Sequence, residues 1–113
     1  DFVVVALPLT PTTRGIFDAE AFAAMKPTAY LVDIGRGNVV DPAALLQALQ
    51  EKRIAGAGLD VFSEEPLPPS SPLWKLPNVL ISPHIAGISA KYLERAADLF
   101  AENLRRYAGG LPL

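Results

Sequence analysis

The chain has 113 residues, half of them hydrophobic, with ten basic and twelve acidic side chains and a net charge of −2. That is enough apolar material for one small core and too little chain for a large two-domain enzyme. The even charge balance excludes a nucleic-acid surface or a polybasic membrane patch, the absence of cysteine excludes a disulfide scaffold or thiolate metal site, and no apolar run nears the ~20 residues of a membrane span.

No signal-peptide pattern opens the chain, so a soluble cytoplasmic protein is expected. Asp1 leads straight into an apolar strand, which reads as a fragment of a longer chain. Phe2–Leu7 is a continuous apolar run rich in β-branched residues and predicts a strand buried on both faces, the mark of a parallel sheet. Pro8 stops it, and a polar loop runs to Arg14. A helix follows, N-capped by Asp18, with Phe17 and Phe22 placed as a hydrophobic staple and Pro27 ending it. Phe22 and Met25 supply its buried face.

The second strand is expected at Ala29–Ile34, followed by a turn in which Gly35 and Gly37 supply unusual backbone angles and room for a ligand beside Arg36. Asp41 caps a second helix from Pro42 to about Arg53, with Leu45, Leu46 and Leu49 as its apolar stripe. Ala55–Val61 is a third strand, whose small residues suggest close approach by a helix or ligand. Phe62–Pro83 holds six of the eleven prolines and predicts a stiff irregular loop, pinned to the core by Leu73 and Trp74. Val79–Ile81 is a fourth strand. Ser89 is expected to cap a long helix to about Tyr107, ended by Gly109-Gly110; Leu93, Ala96, Ala97, Phe100, Leu104 and Tyr107 recur in it at helical spacing.

Alternating strands and helices imply an α/β fold with a parallel sheet and right-handed crossovers. Ligands of such sheets bind beyond the C-terminal strand ends. There the sequence places Thr10, Thr12 and Thr13 after strand one, Arg36 after strand two, Asp60 and Glu65 at and after strand three, and His84 after strand four. If the strands are parallel, these groups share one rim.

Each residue also has a plain structural account. A lone His after a short strand is commonly a surface or packed histidine. Arg36 could face solvent or pair with Asp33 or Asp41. Glu64-Glu65 reads as an acidic loop, and the threonines as turn formers. Asp60 is harder to dismiss, because burying a carboxylate without partners is costly. There is no His, Cys and carboxylate cluster at metal spacing, and Ser82 near His84 lacks the G-x-S-x-G pattern of a nucleophile elbow.

Four stretches together carry a family resemblance: Leu7-Pro-Leu-Thr-Pro-Thr-Thr13; Val32-Asp-Ile-Gly-Arg-Gly37 with Val40-Asp41; Gly58-Leu-Asp-Val-Phe-Ser-Glu-Glu-Pro66; and Asn78-Val-Leu-Ile-Ser-Pro-His84 with Gly87. In order and spacing they resemble the D-isomer-specific 2-hydroxyacid dehydrogenases, of the glyoxylate/hydroxypyruvate-reductase type, over nearly the whole chain. The resemblance implies residues 1–88 as the distal half of an NAD(P)-binding Rossmann domain, 89–108 as a long helix leading back toward a substrate domain, and 109–113 as the start of the following connection.

It also implies roles. Arg36 matches the arginine that holds the substrate carboxylate, His84 the general acid/base, and Glu65 the carboxylate paired with it. Asp60 matches the partner of the nicotinamide carboxamide. Leu7, Pro8, Thr13, Ile34, Gly35, Arg36, His84 and Gly87 match further cofactor contacts. The chemistry suits these types: a guanidinium orients a 2-keto acid and polarises its ketone, an imidazolium supplies a proton near neutral pH, and a neighbouring carboxylate favours a charged ring.

Implied with it are NAD or NADP as cofactor, a small 2-keto/2-hydroxy acid substrate, no nucleic-acid or membrane partner, and a homodimer when full length. The Gly-rich phosphate loop is missing from the chain, so the fragment is expected to be inactive alone. Asp33 stands where the family commonly has Asn. An NAD-sensing corepressor on the same fold is the alternative reading. Formate dehydrogenase competes weakly, since that branch has Gln where Glu65 stands.

Overall fold

Four short strands and three helices follow one another in the expected order. The structure, a computed structural model, describes residues 1–113. They are β1 (Phe2–Val5), α1 (Ala19–Ala23), β2 (Tyr30–Asp33), α2 (Pro42–Gln50), β3 (Gly56–Leu59), β4 (Val79–Ile81) and α3 (Tyr92–Ala108), with a 3₁₀ turn at Pro72–Lys75. The sheet is wholly parallel in the order β1-β2-β3-β4, and Val5, Asp33, Leu59 and Ile81 align across it. Every strand therefore delivers its following loop to the same edge.

One face of the sheet makes the core. Val5, Leu31, Ala57 and Leu59 point into it and meet Phe22 of α1 and Leu45, Ala48 and Leu49 of α2, with Val39, Val40 and Ile54 filling between. The second helix buries Ala48 as well as the expected Leu45 and Leu49, while Leu46 is only half-buried. The other face is open. Phe2 is 71% exposed and Leu80 80%, and Val4 and the Tyr30 ring stacked on Phe2 lie beside them. The expectation of a strand buried on both faces is thus corrected for β1: no element of this chain covers that side, although the run is apolar.

Local chemistry explains the helix ends. Asp18 accepts from the amides of Glu20 and Ala21, and Phe17 meets Phe22 edge-on at 4.8 Å, so the cap and staple both form. The helix stops at Ala23, short of Pro27, as the Met25 amide turns to the nearer carbonyl of Phe22. Asp41 caps α2 through Ala43 and Ala44. That helix ends at Gln50, not Arg53, because Lys52 takes the left-handed conformation (φ 54) and the Arg53 amide closes back on Ala48.

Two further expectations change. Trp74 is 53% exposed and donates its ring N–H to the Pro68 carbonyl, so it ties the proline-rich loop to itself; Leu73 alone packs on the core. Ser89 does not cap α3 with its side chain. Its carbonyl accepts from Tyr92, and the helix begins three residues later, after Lys91. No residue of α3 is buried, so its apolar stripe of Leu93, Phe100, Leu104 and Tyr107 lies open. No helix is long and apolar enough to cross a membrane.

Candidate active site at the C-terminal edge of the sheet

The loops beyond the four strand ends are joined by backbone contacts. A side-chain carbon on Gly35 would lie 2.7 Å from the Leu7 carbonyl oxygen, and one on Gly37 would lie 1.8 Å from that of Phe62. Both glycines are therefore needed for close approach of neighbouring loops. Neither has a positive φ; that conformation falls to Asn38 (φ 67). The expectation of special glycine angles is corrected accordingly. Between them, Arg36 is held at the junction of the loops after β1, β2 and β3.

Arg36 is exposed, and its Nη1 donates to the carbonyl of Gly35 at 2.7 Å. It pairs with neither Asp33, which accepts from the Gly35 amide, nor Asp41, which caps α2. Its remaining donors are open to a ligand. With Ala6, Leu7, Pro8, Ile34 and Gly35 it lines a recess of about 250 Å³. Thr13 supports this recess from behind: its hydroxyl donates to the Pro8 carbonyl at 2.7 Å and accepts from the Thr10 amide at 2.8 Å.

Glu65 and His84 meet directly. Oε2 of Glu65 lies 2.7 Å from Nδ1 of His84, and Oε1 accepts from the Phe62 amide at 2.9 Å. The hydrogen bond to His84 and then the one from Phe62 hold the Glu65 carboxyl below the usual range. A carboxylate only accepts, so Nδ1 carries hydrogen and Nε2 is left to act. The neutral ring offers a base there and the charged ring an acid. His84 itself is left-handed (φ 56). Glu64 makes no such contact.

Asp60 is 3% exposed. It accepts from the Ser82 hydroxyl, from the Ile85 amide at 2.9 Å and from the Ala86 amide at 2.8 Å. Burial raises its carboxyl, but these hydrogen bonds and the nearby His84 outweigh burial and hold it below the ordinary value. Its Oδ2 takes one bond only and keeps an acceptor position free. Gly87 follows Ala86 directly and is exposed, with open space where a side chain would stand.

Three recesses divide these residues but share walls. Ile34 lines both the Arg36 recess and one of about 200 Å³ at Asp60. Ile81 and Ser82 line both that one and a third of about 440 Å³, which Glu65 and His84 border. Arg36 borders the first of these recesses and His84 the third, and neither lines the one between. Residue patterns missed two parts of the site: the Ser82 hydroxyl, considered only as a nucleophile, and the Phe62 backbone. A buried Asp60 needs donors, and Ser82 stands next to it on the adjoining strand end; that requirement was the available signal.

The fold and rim define a nucleotide-binding domain of the dehydrogenase class, and residues 1–86 match the NAD binding domain of the D-isomer specific 2-hydroxyacid dehydrogenases. The chain belongs to that family. It is 49% identical over 110 residues to the glyoxylate reductase of Korarchaeum cryptofilum, covering 97% of this chain and 33% of that protein. It is 48% identical over 104 residues to glyoxylate/hydroxypyruvate reductase B of Escherichia fergusonii, covering 92% and 32%. A D-isomer specific 2-hydroxyacid dehydrogenase of Xanthobacter autotrophicus, solved with NADPH and MES, superposes with a TM-score of 0.89 at 49% identity, over 99% of this chain and 46% of that one. The NADPH-dependent glyoxylate/hydroxypyruvate reductase of Sinorhizobium meliloti, solved with NADP and sulfate, gives 0.86 at 41% identity, over 100% and 37%. The chain spans about a third of the length of these curated relatives.

Proposed function

We propose that this chain is the distal half of the NAD(P)-binding domain of an oxidoreductase that interconverts small 2-keto and 2-hydroxy acids, glyoxylate and hydroxypyruvate being the first to try. The Glu65–His84 pair, on the same sheet edge as an unpaired Arg36, carries this reading. Arg36 grips the substrate carboxylate and orients the ketone. His84, charged and held through Nδ1 by Glu65, gives its Nε2 proton to the ketone oxygen as charge develops there; in the reverse direction the neutral ring takes it back.

The rim fits a nicotinamide. Ile34 and Gly58 offer an apolar floor, and the free acceptor position of Asp60 suits a carboxamide N–H. A reduced nicotinamide, when bound, would supply the hydride to the ketone carbon. Leu7, Pro8, Gly35 and Thr13, through its hold on Pro8, shape the approach to it. Residues 1–88 act as the distal nucleotide-binding half, and α3 as the arm toward a substrate domain. Its open stripe, with the bare sheet face, supports burial against the rest of the protein and a second copy.

The test is reduction of glyoxylate and hydroxypyruvate with NADH or NADPH by the complete polypeptide. Replacing Arg36 or His84 by Ala is expected to lower kcat/KM at least about 100-fold. Parental rates in either variant would refute the role given to it.

A further inference from the structure

We propose that Ser82 is a positioning residue: its hydroxyl, acting through the buried carboxylate of Asp60, holds the turn that presents His84 to the rim. The inference rests on the reading of His84 as the acid–base group.

Asp60 follows β3 and Ser82 follows β4, so the two meet across adjacent strand ends. All three donors to Asp60 come from the segment 82–86: the Ser82 hydroxyl and the Ile85 amide on Oδ1, and the Ala86 amide on Oδ2. They bracket His84 on both sides. Between them His84 holds a left-handed backbone, a conformation that a residue with a side chain keeps where its surroundings over-determine it. The backbone of Ser82 is tied to the Leu59 carbonyl at 2.9 Å, which fixes one end of the turn on β3. The carboxylate fixes the other.

Ser82 is the one side chain among the three donors, so it is the one a substitution can remove. Without its hydroxyl, Oδ1 of a nearly fully buried carboxylate keeps a single donor, and a buried acceptor that loses a partner draws in water or shifts. Either response loosens the turn, and with it the Nδ1 contact to Glu65 on which the direction of Nε2 depends. Ser82 need not touch substrate, and Arg36 shares no recess with Ser82 or His84. The effect therefore falls on proton transfer and not on carboxylate binding.

The ring nitrogens of His84 are read by ¹⁵N NMR of the complete polypeptide, its signals being those lost in His84→Gln. In Ser82→Ala the fraction of ring with hydrogen on Nδ1 is expected to fall, and the Ile85 and Ala86 amides to exchange faster, while core amides such as Leu31 keep their protection. Ser82→Thr, which retains the hydroxyl, restores both. In the complete enzyme Ser82→Ala lowers kcat roughly 10- to 100-fold with the keto-acid KM unchanged. An unaltered His84 ring signature in Ser82→Ala overturns the proposal. So does loss of core protection in that variant, since the hydroxyl would then hold the fold and not the turn. Parental turnover in His84→Ala would instead sink the catalytic reading and leave the ring-nitrogen result standing.

Discussion

The carbonyl oxygen of Phe62 lies against the α-carbon of Gly37, so closely that an added side-chain carbon would sit 1.8 Å from it. This contact binds the loop carrying Arg36 to the loop carrying Glu65. The Phe62 amide also donates to Glu65 at 2.9 Å. One residue of backbone thus spaces the arginine turn and orients the carboxylate that holds His84.

Gly37→Ala is therefore expected to destabilise by about 3 kcal/mol or more, because backbone atoms must move and no flexible side chain can yield. Gly58→Ala is the control: a carbon there meets nothing within 4 Å. It is expected to be within about 1 kcal/mol of the parent, on either side. Urea midpoints measure both, and a Gly37→Ala midpoint equal to the parent's would refute the contact.

A second prediction concerns Asp33, buried to 3% exposure under the arginine turn. Burial pushes its carboxyl up from 3.8 to about 6, against a smaller opposing effect of the Gly35 amide. The folded state therefore binds this proton more tightly than the unfolded state. Its contribution is most favourable below pH 3.8 and is lost as pH rises to about 6, about 3 kcal/mol in all. Asp33→Asn keeps an oxygen for the Gly35 amide and removes the charge. It is expected to raise stability at pH 8 by about 1 to 3 kcal/mol and to flatten the dependence between pH 4 and 6. Denaturation curves at several pH values decide it; equal gains at pH 4 and pH 8 would contradict the buried-charge account.

Much of this was legible in the residues, for identifiable reasons. The parallel sheet follows from β-branched runs alternating with helices. Asp18, Asp41 and the Phe17–Phe22 staple act locally and form as read. The open sheet face was not legible, since Phe2, Val4 and Leu80 look like core to any pattern; only the tertiary arrangement shows that no element of this chain covers them. The role of Gly37 was misread because a glycine in a turn signals a special φ as readily as a close neighbour. The partners of Asp60 lay 22 to 26 residues away, beyond the reach of local spacing.

Glu65→Gln tests the carboxylate in a way that its geometry makes specific. Glu65 uses two acceptors, Oε1 for the Phe62 amide and Oε2 for His84 Nδ1. Glutamine has one acceptor and one donor. It must either release Phe62 or present its NH₂ to Nδ1, which moves the ring hydrogen to Nε2. Turnover in the complete enzyme is expected to fall roughly 100-fold, with the keto-acid KM little changed. Because its folded-state value is depressed, the parental carboxylate stays charged below the usual range, and the pair is lost only as pH falls through that lowered value. Ring-nitrogen spectra of His84 across acid pH follow the loss, and a spectrum in Glu65→Gln identical to the parent's would show that the pair does not set the tautomer.

Arg36→Lys separates a carboxylate grip from a general positive charge. One guanidinium nitrogen, Nη1, already donates to the Gly35 carbonyl at 2.7 Å, which fixes the plane of the group and leaves the rest of the fork for a ligand. An ammonium cannot hold that carbonyl and also bind a carboxylate through two parallel bonds. The keto-acid KM is expected to rise roughly 10- to 100-fold, with a smaller fall in kcat, since His84 and Glu65 are untouched. Unfolding midpoints should barely move, because Arg36 is exposed and makes no ion pair. Steady-state kinetics with glyoxylate and a longer keto acid read the outcome. If KM is unchanged for both, Arg36 acts as an ordinary surface charge and the substrate is held elsewhere.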